Sequence, residues 1–168
     1  MAEGALDARP RIGYSVKPLT EAEFTQLYDL RPLLDPAALR LAGIPAASRL
    51  EELEKLNRKL DRTRDPELVI ALDDEWHLAL LADCPNRILV GFIENVMLRT
   101  RRYELALMRE ASGPTAASRG HDDILKSLHA GDMDGACEHL ERNMTGGRAL
   151  ILGWLKSRHV AGRQRKAK

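Results

Sequence analysis

The sequence predicts an all-α fold, an antiparallel bundle of six or seven helices. Three observations predict it. Apolar residues recur at helical spacing through most of the chain. No stretch shows a convincing run of alternating strand residues. The connections between the periodic segments are short, which favours antiparallel packing of neighbouring helices. With 168 residues, of which 44% are hydrophobic, the chain is long enough for one domain with a sizeable core.

The N-terminal segment, residues 1–18, has little periodicity and is expected to be irregular. Residues 12–16 could form a short strand, although no obvious partner strand precedes or follows them. The helical domain is expected over residues 19–157. Residues 158–168 carry several basic side chains and are expected to form a flexible tail.

Each predicted helix has its own boundary signals. Thr20 and Glu23 form a capping box at the start of the first helix. Pro32 and Pro36 are expected to kink or divide that helix, because proline lacks the backbone N–H of an interior position. The later helices are expected over 47–61, from Pro66 to about Cys84, from Asn86 to about Met108, over about 115–130, and from Met133 to about Ser157 with an interruption or a loosening at Gly146-Gly147.

The charge, the cysteines and the apolar runs of the chain each argue against a class of protein. The chain has 26 basic and 25 acidic residues, so it offers no global attraction to nucleic acid or membrane surfaces. Its two cysteines form neither a metal pair nor a disulfide framework. No apolar run is long enough to span a bilayer, and the N-terminus lacks the apolar core of a signal peptide. We therefore expect a soluble cytoplasmic protein.

A carboxylate and an imidazole on an apolar helix are the strongest functional signal. Asp73 and His77 are four residues apart and share a helix face. His121 lies on the apolar side of another helix, and His139 and Asn143 share a face of the last one. Such groups suit zinc, nickel, manganese or iron. The alternative is structural, because an Asp–His pair can satisfy itself by a mutual hydrogen bond and a lone buried histidine is more often hydrogen-bonded than metal-bound.

Other chemistries have little support. The sequence contains neither a phosphate-binding glycine loop nor a Gly-x-Ser-x-Gly nucleophile elbow. Asp73, Asp74 and Glu75 are consecutive, so they point in different directions on a helix and do not form a paired general acid and base.

The spacing of these residues resembles a known family, the C-terminal effector-binding (FCD) domain of GntR-type transcription regulators of the FadR subgroup. The resemblance covers about residues 19–157. The residues that carry it are Asp73-x-x-Trp76-His77, then Asn86 at a helix start, His121-x-x-Ile124, Gly131-Asp132 and Ala136, preceded by a first-helix element over Leu27–Asp35 that contains Arg31.

The resemblance implies a bundle of six or seven helices that binds a divalent metal, with zinc as the first candidate. Many members hold the metal with one Asp and three His. Carried over, the ligands are Asp73, His77 and His121, and the fourth position is Asn143 instead of histidine. Asparagine can coordinate weakly through its carbonyl oxygen. Two further departures from the family pattern are Gly120 and Asp35, both where glutamate is common.

The resemblance also implies a small carboxylate effector, such as a hydroxy acid or sugar acid, beside the metal. Arg31, Arg99 and Asn86 are the candidate effector-binding residues, because anions need cationic or hydrogen-bonding partners; a helix cap is the simpler role for Asn86. A homodimer is implied as well. DNA would be read only by a winged helix-turn-helix that this chain does not contain, although residues 13–18 resemble the last wing strand and linker.

The sequence therefore predicts the ligand-sensing domain of a transcription regulator, without catalytic turnover. One alternative is a small metal-dependent enzyme that uses the same Asp/His cluster with metal-bound water as nucleophile. That enzyme would need a general base beside the metal, and none is apparent. The other alternative is a metal-free helical interaction domain in which Asp73 and His77 satisfy one another.

Overall fold

A computed structural model of the chain is an all-α bundle with a short β-hairpin at its N-terminal end. The structure describes residues 6–9, 13–110 and 117–166, with side chains described for residues 13–110 and 120–158. The two strands are β1 (Leu6–Arg9) and β2 (Gly13–Val16). The helices are α1 (Glu21–Tyr28), α2 (Arg31–Ala42), α3 (Ala47–Arg62), α4 (Pro66–Leu80), α5 (Arg87–Glu110), α6 (Ala117–His129), α7 (Met133–Thr145) and α8 (Arg148–Lys166).

The strand expected over residues 12–16 has a partner that the sequence did not reveal. β1 and β2 pair antiparallel, with Leu6 opposite Val16 and Arg9 opposite Gly13. A strand of four residues carries too weak a period to stand out in a sequence, and the pairing itself is a tertiary contact.

The hydroxyl of Thr20 accepts a hydrogen bond from the backbone N–H of Glu23 at 3.2 Å, so the capping box begins α1 as predicted.

The two prolines act differently from one another. The chain leaves α1 at Tyr28 and Pro32 falls in the first turn of α2, where a missing N–H costs nothing. Pro36 lies inside α2 without ending it.

The fold class is confirmed, and the described residues contain eight helices instead of six or seven. The first predicted helix is divided into α1 and α2, and the last one into α7 and α8 at Gly146-Gly147. α4 ends at Leu80, a turn earlier than expected. The backbone of α8 continues helically to Lys166, through most of the segment for which the sequence predicts a flexible tail.

The main core is built by six helices around a tryptophan. Trp76 is fully buried, and its indole N–H donates to the carbonyl oxygen of Leu53 at 3.0 Å, which joins α4 to α3. The same cluster includes Leu39 of α2, Ile93 of α5 and Leu140 of α7, with further residues from α6. Burial of these side chains is the main favourable term that holds the bundle together.

α4 and α5 run antiparallel and support most of the site described below. Ion pairs fix their relative register at two heights: Glu67 with Arg109 near one end, and Asp74 with Arg101 at 3.1 Å further along. Among the described residues, no helix has the length and apolar content needed to cross a membrane.

Candidate metal and effector site

Asp73, His77 and His121 converge at one point inside the bundle. The first two project from adjacent turns of α4, and His121 reaches them from α6. The Nε2 atoms of His77 and His121 are 3.3 Å apart. Oδ1 of Asp73 lies 3.4 Å from Nε2 of His121, and Oδ2 lies 3.8 Å from Nε2 of His77. The structure thus brings together three of the four metal ligands that the sequence predicts.

These separations fit the donor set of a small divalent ion. Two ligand atoms that each lie about 2.0–2.1 Å from a tetrahedral zinc are roughly 3.3–3.4 Å from each other. The His77–His121 and Asp73–His121 distances of 3.3 and 3.4 Å agree with this value, and the Asp73–His77 distance of 3.8 Å is slightly longer. Two imidazole nitrogens and one carboxylate also form a ligand set that first-row transition metals prefer.

The local electrostatics keep Asp73 and His77 in the protonation states that metal ligands need. Burial alone would raise the pKa of Asp73, but the contact with His121 and the nearby His77 and Arg31 lower it to about 2. Burial also lowers the pKa of His77 well below its ordinary value, although Asp73 opposes this shift. At neutral pH the site therefore offers an ionised carboxylate and a neutral imidazole.

His121 is oriented by neighbours on α3 and α4. Asn57 donates from Nδ2 to Oδ1 of Asp122 at 2.6 Å, so its own Oδ1 faces Nδ1 of His121 at 3.1 Å as an acceptor. Nδ1 must then carry the proton of that hydrogen bond, which leaves Nε2 to face Asp73 and His77. Trp76 stacks on the His121 ring, with a centroid separation of 3.8 Å and an interplanar angle of 1°.

Asn57 belongs to the site but was not among the residues predicted from the sequence. The available signal was its position on the leucine stripe of α3, four residues after Leu53 and three before Leu60. A buried amide at such a position needs a partner, because leaving it unpaired costs about 1–3 kcal/mol. Here that partner is the histidine.

Replacing Asn57 by leucine is expected to weaken zinc binding about 10- to 100-fold, the usual cost of losing the partner that orients a ligand histidine. The physical reason is that Nδ1 of His121 loses its acceptor, so the ring is free to rotate or change tautomer. Calorimetric titration of the metal-free protein with zinc measures the effect. Lys59→Leu, at an exposed position of the same helix, is the matched control. Equal zinc affinity of Asn57→Leu and wild type would contradict the orienting role.

Asn143, the fourth predicted ligand, lies on α7 against Gly120 and lines the same cavity as Asp73. A Cβ atom added to Gly120 would stand 2.3 Å from Nδ2 of Asn143, so the amide occupies the space above that glycine, directly before His121. The Asn143 amide can therefore occupy this space only because residue 120 has no side chain. His139 lies one turn earlier on α7, where its Nδ1 is 3.2 Å from Nη2 of Arg142.

A cavity of about 450 Å³ adjoins the cluster. Asp73 belongs to both, since it lines the cavity and its side chain is 26% exposed there. Asn143 and His139 also line it. The other polar lining residues are Tyr28, Arg31, Thr100, Glu104, Asp123 and Arg142.

Arg31 is the buried cation of this cavity. Its Nε lies 3.2 Å from both carboxylate oxygens of Asp35, one turn further along α2. The Arg31 side chain is only 11% exposed and the Asp35 side chain is fully buried. Although burial would lower the pKa of Arg31, the nearby charge of Asp35 raises it, so the guanidinium stays charged. Nη2 of Arg31 has no hydrogen-bond partner among the described residues.

Glu104 is a second unusual group in the cavity wall. Burial, reinforced by the charges of Asp73 and Asp74, raises the pKa of Glu104 to about 8, although Arg31 and Arg101 oppose the shift. The side chain is therefore mostly a neutral carboxylic acid at pH 7. Such a group can donate a hydrogen bond and does not repel a bound anion.

Glu104→Gln is expected to raise the melting temperature at pH 8 while leaving it nearly unchanged at pH 4.5. A carboxyl whose pKa is about 8 in the folded state and 4.5 when unfolded contributes stability below pH 4.5 that is lost as the pH rises to 8. Glutamine does not ionise, so the variant avoids this loss. Its melting temperature at pH 8 should rise by about 2–4 °C for each kcal/mol of unfolding free energy that is recovered.

Thermal unfolding by circular dichroism between pH 4.5 and 8.5 measures this difference. The matched control is Glu141→Gln, at an exposed position of α7. If the Glu104→Gln and wild-type curves stay parallel over the whole pH range, Glu104 does not titrate as described.

Arg99 and Asn86, the other predicted effector-binding residues, do not line the cavity. Nη2 of Arg99 pairs with Oε1 of Glu23 at 2.8 Å, which ties α5 to α1. Oδ1 of Asn86 accepts from the N–H of Leu89 at 3.1 Å, the bond of a helix cap.

Comparisons with known proteins agree with this architecture. A protein-family model described as the FCD domain matches residues 26–146. No curated protein sequence matches the chain. A solved structure of a GntR-family transcriptional regulator from Pseudomonas syringae pv. tomato is 23% identical, with a TM-score of 0.77, and the match covers 96% of this chain and 68% of that one.

Two other solved structures are similar in fold. E. coli McbR/YncC has a TM-score of 0.82 at 23% identity, with 90% of this chain and 78% of that chain covered. A Streptococcus agalactiae GntR protein has a TM-score of 0.58 at 18% identity, with 86% and 74% covered. Identities this low show the shared fold alone.

The family match extends over more than half of the chain and includes Arg31, Asp73, His77, His121 and Asn143. It points to a regulatory domain and not to an enzyme. The chain belongs to the FCD domain family, the effector-binding regulatory domain of GntR-type transcription regulators.

Proposed function

We propose that this domain senses a small carboxylate, which binds in the cavity beside a divalent metal held by Asp73, His77 and His121. The single observation that carries the proposal is the convergence of these three donors, within 4.8 Å of one another, around Asp73, which also lines a cavity that holds a buried arginine. A cation at this point and the guanidinium of Arg31 would both attract an anion in surroundings with little water.

Zinc is the first candidate for the metal, with nickel, manganese and iron as alternatives. Two imidazoles and one carboxylate suit all of these ions. Asn143 is the proposed fourth ligand through its amide oxygen. Three strong ligands and one weak one would leave room for an exchangeable ligand, as an effector site requires. When bound, the metal would supply positive charge to the effector carboxylate.

The residues around the effector would bind and orient it. Nη2 of Arg31 is the donor proposed to meet the carboxylate, since it is buried in the cavity wall and lacks a partner among the described residues. Glu104, whose pKa is raised by burial and by neighbouring carboxylates, is proposed to donate a further hydrogen bond in its protonated form.

The effector would contact four helices at once, so its binding could favour one arrangement of them over another. Arg31 belongs to α2, Asp73 to α4, Glu104 to α5 and Asn143 to α7. An effector that binds one arrangement of these helices more tightly than another shifts the population toward it. In a complete regulator such a shift would change the relative position of two winged helix-turn-helix modules, which read DNA.

A homodimer is part of the proposal, because the two DNA-reading modules of a regulator must be held together. Ile88 and Phe92 support it, as they lie one turn apart on α5 and are 75% and 63% exposed. Large apolar side chains exposed side by side are typical of interfaces. The molar mass in solution, by light scattering, tests this part.

The function is tested by thermal-shift measurements on protein stripped of metal with a chelator and then reloaded with zinc. Zinc alone is expected to raise the melting temperature. Lactate, citrate or gluconate should raise it further in the zinc-loaded protein and much less in the stripped protein. A ligand at 100 times its Kd adds about 2.7 kcal/mol of stability, or roughly 5–10 °C for a domain of this size.

Two results would contradict the proposal. If zinc, nickel, manganese and iron all leave the melting temperature of the stripped protein unchanged, the metal site is wrong and the interaction-domain alternative is favoured. If metal binds but no carboxylate adds stability, the sensing function is wrong. Unchanged carboxylates recovered after incubation would separate sensing from the metalloenzyme alternative.

A further inference from the structure

The cavity has a polar and an apolar part, and the chain order along two helices shows how they are arranged. Val69 precedes Asp73 by one turn on α4, and Met108 follows Glu104 by one turn on α5. Because α4 and α5 are antiparallel, as their two ion pairs show, both steps lead toward the same end of the bundle. Both residues line the cavity, so this end of it is apolar.

Other helices extend the apolar wall. Met108 packs against the buried cluster that contains Val69. Leu107 and Ile151, from α5 and α8, also line the cavity and belong to a second buried cluster. Leu150 lines the cavity too and is half exposed, which puts it at the opening.

A very small acid would leave much of this space unfilled. At about 30 Å³ per non-hydrogen atom, the share of a water molecule in the liquid, an acid of six such atoms fills at most about 180 Å³. The cavity holds about 450 Å³. Part of the remainder faces the apolar side chains of Val69, Leu107, Met108 and Ile151, which offer water no hydrogen bonds, and hydroxyl groups of a larger polar acid would go unpaired against them.

We propose, on the basis of the function proposed above, that the effector is an amphipathic monocarboxylate, an acid with a hydrocarbon chain or ring. Its carboxylate lies at the polar end with Arg31 and the Asp73 cluster. Its hydrocarbon part lies against Val69, Leu107, Met108 and Ile151. Asp123 and Arg142 are exposed residues at the opening and stay hydrated in this arrangement.

The test is a calorimetric titration of the zinc-loaded protein with unbranched acids from propanoate to heptanoate, together with lactate and 1-hexanol. Affinity is expected to rise about fourfold for each added methylene, which corresponds to about 0.8 kcal/mol. 1-Hexanol should bind far more weakly than hexanoate because it lacks the charge. Met108→Gln should weaken heptanoate binding and leave propanoate binding unchanged. Met133→Gln, which alters a partly buried methionine away from the cavity, is the matched control.

The outcomes separate this inference from the function on which it rests. If propanoate and lactate bind but longer chains bind no better, the amphipathic effector is wrong and the sensing function stands. If no carboxylate of any length binds the folded, zinc-loaded protein, both are wrong. If 1-hexanol binds as tightly as hexanoate, the cavity does not select a carboxylate and the proposed function is wrong.

Discussion

His121→Ala is expected to lower zinc affinity by more than about 100-fold, because it removes a proposed ligand and not merely a partner that orients one. His121 is fully buried and stacks on Trp76, so the alanine variant also loses packing. Asp73→Asn keeps the side-chain shape and removes only the charge. It should lower zinc affinity to a similar extent while the fold is retained.

Competition with a chromophoric chelator measures these affinities, and circular dichroism checks the fold. A Trp154→Phe background leaves Trp76 as the sole tryptophan, so its fluorescence reports directly on the ring stacked against His121. His139→Ala is the matched control, since His139 lines the same cavity outside the three-ligand cluster.

Asn143, the proposed fourth ligand, is expected to contribute less to zinc affinity than Asp73. Asn143→Ala should lower zinc affinity much less than Asp73→Asn does, because an amide oxygen is a weak ligand for zinc. Zinc binding that survives Asp73→Asn, or that is lost equally in His139→Ala, would contradict the assignment of the cluster.

Arg31→Met is expected to destabilise the protein by about 3–5 kcal/mol, the usual cost of removing one partner of a buried ion pair. Asp35 has no exposed surface, and burial already raises its pKa despite Arg31. Without the guanidinium, the carboxyl must either stay charged in an apolar setting or take up a proton. Asp35→Leu should cost a similar amount, because it leaves Arg31 buried without its partner.

The double variant Arg31→Met/Asp35→Leu separates stability from binding. Replacing both charges by apolar groups is often close to neutral, so this variant should be more stable than either single variant. It should nevertheless fail to bind carboxylates, because Nη2 of Arg31 is gone. Urea denaturation measures stability from the midpoint at constant slope. Strictly additive losses, or carboxylate binding by the double variant at wild-type affinity, would count against the role given to Arg31.

Local signals in the sequence were sufficient for most of the helix boundaries. Thr20 with Glu23, and Asp65 before Pro66, cap α1 and α4 in the structure as their residue types predict. Such signals act over three or four residues, so they can be recognised in the sequence without knowledge of the fold. At Gly146-Gly147 the sequence predicts an interruption or a loosening, because glycine permits a helix to end without requiring it. The structure shows the interruption, with α7 ending at Thr145 and α8 beginning at Arg148.

The candidate site was predictable in part. Asp73 and His77 share a face of one helix, so their proximity follows from helix geometry. His121 was a candidate from its place on the apolar side of its helix, and the resemblance also implied it as a ligand. Its 3.3 Å approach to His77 depends on how α6 packs against the rest of the bundle. Asn57 was not predicted, because the sequence does not show which hydrogen-bond partner an asparagine on a leucine stripe will meet.

By itself, the sequence determined the helical class, the polar pair on α4 and the likeness to the FCD family, since these depend on periodicity, spacing and residue type. Only the tertiary structure decided that Arg31 is buried in a cavity wall while Arg99 pairs with Glu23 outside it. Arg31 lies on α2 and Arg99 on α5, and the sequence offered both as effector-binding residues. Which helix face is covered, and by what, depends on long-range packing that no local pattern encodes.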